Sequence, residues 1–209
     1  MSSNAPDLRI DWATHEAAVF ACVRWHYSKS IPVGPMVRIG AWEAGKFIGV
    51  VLFSHGANNR LLAPYGLTMT EGCELTRVAL SQHVTPVSRV VRIAVAFLRR
   101  NSPGLRLIVS FADPASGHHG GIYQALGWIY TGTSAPSYEF RSQGMRLQKR
   151  AYTGGNFGAP KMALPRGTEK LRTVGKHRYL MPLDAEMRDD VAPLAKPYPK
   201  REHACDIAH

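Results

Sequence analysis

Ser110, Asp113, His118 and His119 fall close together in this 209-residue chain, and their types suit proton transfer. A carboxylate serves as a general base or holds an amine, and imidazoles relay protons near neutral pH. The same stretch also reads as a turn, in which Asp113 (before Pro114) or Ser116 caps a following helix. Gly117, Gly120 and Gly121 flank the histidine pair and suit close approach of a ligand. With Asp113, His118 and His119 also offer ligand types suited to iron or zinc, although adjacent histidines are not a standard spacing on a helix. A second group comprises Glu74 and Arg77, facing a long loop that carries His55, Asn58, Asn59 and Tyr65. On a regular strand Glu74 and Thr76 share one face and Arg77 takes the other, so all three line one pocket only across a bulge. Glu74 is then the expected pocket carboxylate, while Arg77 contacts substrate or forms a structural ion pair. Tyr65, in a Pro-x-Gly context, either stacks on a planar ring or anchors its loop.

The charge is concentrated. The chain carries 26 Lys+Arg against 15 Asp+Glu, a net charge of +11. Arg141, Arg146, Lys149, Arg150, Lys161, Arg166, Lys170, Arg172, Lys176 and Arg178 are opposed within their segment only by Glu169, which places +9 there. Tyr138, Phe140, Tyr152, Phe157 and Tyr179 lie in or beside it. Such a stretch neutralises phosphates and stacks on bases, or else forms a solvated face. Its concentration favours an anionic polymer, with Arg146, Lys149, Arg150, Lys176, His177 and Arg178 as the contacts. Composition excludes wholesale disorder, and no apolar run reaches the roughly 20 residues that span a bilayer. Residues 1–7 lack the basic and apolar regions of a secretion signal. Cys22, Cys73 and Cys205 are odd in number and scattered, which argues against a disulfide scaffold or cysteine zinc site and fits a cytoplasmic protein without membrane association.

These side chains need elements to hold them. Asp11 or Thr14 caps a helix running to about Tyr27. Residues 37–42 and the apolar run 47–53 read as strands around a turn at 43–46, the second buried on both faces. The loop 54–72 is too long for a simple connector. A strand over 73–80 leads to the best-marked helix, with Thr85 at its N-cap, Pro86 at its first position and Ser102-Pro103-Gly104 as its stop. A strand at 105–112, a short helix at about 119–126 closed by Gly127, and a strand at 128–131 follow. The expected fold is α/β, a mixed central sheet flanked by helices, with its core over 1–140. A basic, loop-rich extension over 141–188 packs on that core, and 189–209 forms a flexible tail.

The order resembles that of the GNAT acyltransferase superfamily. Gly121-Ile122-Tyr123-Gln124-Ala125-Leu126-Gly127-Trp128 is similar to the superfamily's late helix, and Glu74–Leu80 to the strand before its acyl-CoA pyrophosphate loop. By that likeness Tyr123 is a general acid toward the donor's leaving group; otherwise it is a packed aromatic. The loop itself departs from the pattern. Gln82-His83-Val84-Thr85-Pro86-Val87 lacks both glycines that let backbone N–H groups close on a pyrophosphate, and Pro86 has no N–H. Acetyl-CoA or another activated donor, an aminoacyl-tRNA among them, stays open. Longer blocks narrow the likeness: Trp25-His26-Tyr27-Ser28, Pro64-Tyr65-Gly66-Leu67, Thr70–Leu75, Ser110–Pro114, Gly117–Gln124 and Gly175–Leu180 resemble the Mom family of phage proteins over residues 8–183. The resemblance implies conversion of adenine N6 in double-stranded DNA to the carbamoylmethyl (acetamido) form, which shields phage DNA from host restriction enzymes. Such an enzyme extrudes the base, removes an N6 proton and stabilises charge on the donor. It would use Asp113, Tyr123, His119, Glu74 and Ser110 in catalysis, and Tyr65, Asn58, Arg77 and His118 toward the base. The alternatives are a GNAT-like acyltransferase acting on RNA or a small amine, and a non-catalytic DNA-binding protein. Oligomeric state, including a dimer, is left open.

Overall fold

The computed structural model describes residues 7–56, 60–147, 152 and 162–200. Its main sheet has seven strands in the order β1-β2-β3-β4-β5-β10-β6: β1 (Leu8–Trp12), β2 (Met36–Glu43), β3 (Lys46–Ser54), β4 (Gly72–Leu80), β5 (Leu107–Ala112), β10 (His177–Pro182) and β6 (Ile129–Thr133). A second sheet, β8-β7-β9, is formed by β7 (Ser137–Ser142), β8 (Met145–Leu147) and β9 (Glu169–Thr173). All pairings in both are antiparallel except β4 with β5. No helix among the described residues is long and apolar enough to cross a membrane.

Alternation along β3 explains the layers. Val51 and Phe53 face α2 (Val87–Asn101), whose Val90, Val91, Ala94, Val95 and Leu98 form its buried stripe. Val50 and Leu52 face α1 (His15–Trp25) through Ala18, Ala21 and Cys22. The short α3 (Gly121–Gln124) joins α2's layer through Tyr123, while α4 (Ala185–Val191) covers Leu107, Val109 and Leu180 with Met187 and Val191.

Thr14 caps α1 by accepting from Ala17 N at 3.2 Å, as its type predicts, but α1 ends at Trp25 rather than Tyr27. There His26 turns extended, and its ring takes the Ser28 N–H. The start of α2 is also shifted. Pro86 occupies the N-cap position without a side-chain cap, and Thr85 directs its backbone N–H to Glu43 instead. Strand β1 was hidden by its shortness. The basic region beyond 140 is more regular than its glycines and prolines suggest, because β10 inserts between β5 and β6. Residues 189–200 are tied down rather than frayed: α4 buries Met187 and Val191, Lys196 N donates to Tyr130 O at 2.8 Å, and the Tyr198 hydroxyl donates to Trp128 O at 2.8 Å. Residues 201–209 lie outside the described residues.

Candidate active site

Parallel pairing of β4 with β5 runs only from Gly72↔Leu107 to Leu75↔Ser110. Beyond that point the strands separate, and a cavity of about 440 Å³ opens between Thr76–Val78 and Phe111–Asp113. That volume lies within the 300–1,000 Å³ typical of small-molecule sites. The end of α1 (Trp25, His26, Tyr27) and the Gly117–Tyr123 segment complete the walls. The bulge needed to bring neighbouring β4 residues to one side is present. Leu52 pairs with Arg77 and Phe53 with Leu75, so Thr76 is the extra residue. Its hydroxyl lies 2.7 Å from Ser54 Oγ.

The bulge turns Arg77 to the face that Glu74 occupies, and Glu74 lies below the split, still paired with Val109. Arg77 lines the cavity and Glu74 does not, so the expected pocket carboxylate is replaced by a guanidinium. Arg77 Nη1 donates to Thr76 O at 2.7 Å, while its buried Nε has no hydrogen-bond partner among the described residues. Asp113, buried just after β5, lines the cavity and caps the turn that follows. One oxygen accepts from Ala115 N at 3.2 Å, and the other lies 3.2 Å from Lys176 Nζ. Tyr123 lies on the cavity wall with its hydroxyl 2.7 Å from Ser110 Oγ. Ser110 Oγ is also 2.8 Å from Leu75 O, a group that can only accept. Ser110 thus shares its single proton between that carbonyl and the phenol oxygen. Burial pushes Tyr123 up to about 12, eased by Ser110, so the phenol holds its proton at neutral pH.

His118 and His119 both line the cavity. The His119 carbonyl accepts from the Tyr179 hydroxyl at 2.6 Å and from Gln124 at 3.2 Å, which fixes the glycine-flanked turn. No three His, Cys, Asp or Glu side chains among the described residues group to hold a metal, so the histidine pair gains no third ligand there. Tyr65 sits on a 3₁₀ turn outside the cavity lining, packed with Leu62, Leu67 and Phe111. Arg178 bonds Thr131 at 2.9 Å, and His177 Nδ1 lies 3.1 Å from the Tyr130 hydroxyl. Asn58, Lys149 and Arg150 lie outside the described residues; Arg146 is described only as backbone of β8.

Three wall residues escaped the sequence reading, although Trp25-His26-Tyr27-Ser28 stood out as a block. The rings of Tyr27 and His118 meet at 5.1 Å and those of His26 and Tyr27 at 4.2 Å, an aromatic lip on the cavity. His26 Nδ1 accepts from Ser28 N at 3.1 Å, which leaves the ring proton on Nε2. Burial first, and then the Arg77 charge, hold this histidine down to about 3. His26 is thus a neutral N–H donor rather than a base.

The Mom protein family model matches residues 7–200, a span that includes every wall of the cavity and the basic strands. The chain belongs to the Mom protein family. Among curated proteins, none matches it in sequence. Among solved structures, a Bacillus subtilis acetyltransferase in complex with CoA is similar at 16% identity and a TM-score of 0.50, over 85% of this chain and 99% of that one. An acetyltransferase from Salmonella typhimurium with its cofactor acetyl-CoA (13%, 0.49, 87% and 95%) and a GCN5-related N-acetyltransferase from Kribbella flavida (15%, 0.47, 84% and 98%) are also similar. The fold of this Mom-family protein is therefore GNAT-like.

A GNAT-like fold implies coenzyme A, whose pyrophosphate would be held by the loop entering α2. In this Mom-family chain the residues do not fit that group. Pro86 offers no N–H, and the N–H groups of Val84 and Thr85 are each 2.7 Å from a Glu43 carboxylate oxygen.

Proposed function

We propose that this protein is a DNA-modifying transferase that converts adenine N6 to its carbamoylmethyl form. The observation that carries the reading is the Mom-family match, which spans both the β4–β5 cavity and the basic strands. Several features support it. The ribbon β7-β8-β9 presents Lys170 over the Tyr138 ring at 4.2 Å, with Arg172 on the same strand, suited to phosphates. The lip of Tyr27 and His118 suits stacking of an extruded base, the role the sequence suggested for Tyr65.

Within the cavity Asp113, oriented by Lys176, accepts the hydrogen that N6 loses. N6 gains the carbon of a carbamoylmethyl group carried on an activated donor. The leaving group departs with the electron pair of its bond to that carbon and takes a proton from Tyr123. His26 Nε2–H and Arg77 steady the donor's carbonyl oxygen by hydrogen bonding.

Mass spectrometry of nucleosides digested from the DNA of cells making the protein tests this directly. The expected result is an adenine nucleoside heavier by one carbamoylmethyl group, lost in an Asp113→Asn variant that still binds DNA. Unmodified DNA from cells rich in folded protein would overturn the reading and direct attention to amines on RNA or small molecules.

A further inference from the structure

Helix N-termini attract anions because the first-turn N–H groups lack intrahelical partners and the helix dipole is positive there. The 15-residue α2 and the loop before it already hold one, and it is the protein's own. Glu43 ends β2 and is buried. One oxygen accepts from Val84 N at 2.7 Å and the other from Thr85 N at 2.7 Å. These distances are at the short end for charge-assisted bonds, and the two-pronged geometry is that of a bound oxyanion. His83 Nδ1 lies 2.8 Å from Thr85 O, and Gln82 takes a left-handed φ of 51°, so the loop is folded around this contact. The Thr85 hydroxyl, followed by the Val84 N–H, holds the Glu43 carboxyl below its ordinary range, so it stays ionised at neutral pH.

We propose that Glu43 is a built-in occupant of the anion seat at the head of α2, so the donor is not anchored there by a nucleotide pyrophosphate. A pyrophosphate entering would compete for the same two N–H groups. It would also bring its negative charge against a buried carboxylate left without partners, and like charges at that range repel strongly. The donor is selected instead by the part that enters the β4–β5 cavity, where Arg77, His26 and main-chain edges face it. This inference does not depend on which acceptor is modified.

The test follows the amide resonances of Val84 and Thr85 in the isotopically labelled full chain during titration with acetyl-CoA, and separately with inorganic pyrophosphate, to about 1 mM, a weak-affinity range. Both resonances stay in place if Glu43 fills the seat, even if coenzyme A touches other surfaces. Saturable shifts of both in the parent protein would overturn the proposal. In Glu43→Ala the freed N–H groups should bind pyrophosphate at least about tenfold more tightly than the parent does. A folded Glu43→Ala protein as inert as the parent would also overturn it. Should that variant fail to fold, the parent titration alone decides. Failure here would leave the DNA assignment untouched, since neither titration contains DNA.

Discussion

Tyr123 and His26 are both buried titratable groups, yet burial gives them opposite uses. It raises the tyrosine, which keeps its proton at neutral pH; it lowers the histidine, which keeps an N–H without a charge. Tyr123→Phe should leave the fold largely intact, costing about 1 kcal/mol for the bond to Ser110. DNA modification should fall by about 10²-fold or more. Denaturation curves and nucleoside mass spectrometry read the two effects separately. For His26 the sign follows from linkage. The unfolded ring takes up its proton near 6.5 and the folded one only near 3, so the stability tied to the neutral ring is complete above pH 6.5 and is lost as pH falls toward 3. Between pH 6 and 4.5 the parent should lose stability relative to His26→Gln, with a slope of up to about 1.4 kcal/mol per pH unit. Equal pH profiles for the two proteins would remove this role. Asp113 and the histidine pair were legible in sequence because their residue types announce them. His26 was not, since Trp-His-Tyr at a helix end reads equally well as core.

At the scale of elements, the bulge at Thr76 and the ribbon β7-β8-β9 carry the most. Period-two reasoning put Arg77 on the face opposite Glu74, and one extra residue brought it round to the cavity. A bulge leaves no mark in residue types, so only the register of β3 against β4 reveals it. The apolar run of β3 and the apolar stripe of α2 were readable because each is decided within its own segment. Strand β10 was not, since His177 and Arg178 belong by composition to the basic segment and their pairing with Ala112 and Phe111 is set by distant chain. On the ribbon, Lys170→Ala with Arg172→Ala should weaken DNA binding evenly across sequences. It should also flatten the log–log salt dependence by about 1.8, or roughly 0.9 for each phosphate no longer neutralised. An unchanged slope from binding titrations across salt concentrations would place the DNA elsewhere.

Across the whole molecule, the last described stretch works as a brace. Lys196 N bonds Tyr130 O, Tyr198 bonds Trp128 O, and Gln124 reaches Pro199 O at 3.2 Å, tying the stretch to β6 and α3. Its prolines and charges concealed this docking, because the partners are carbonyls that any sequence would supply. Ending the chain after Leu194 should cost about 2–4 kcal/mol in chemical denaturation. It should also reduce modification, since α3 carries Tyr123. A truncated protein as stable as the parent would show the brace to be idle. The parting of β4 and β5 has a consequence for how such a protein changes over time. Each strand keeps its outer neighbour, β3 or β10, and turns an inner edge of peptide groups toward the gap. Peptide groups are the part of a site that substitution, except by proline, cannot delete. Lineages built on this split can therefore exchange side chains, and with them the reaction performed, while the rail that aligns an extended ligand is inherited unchanged.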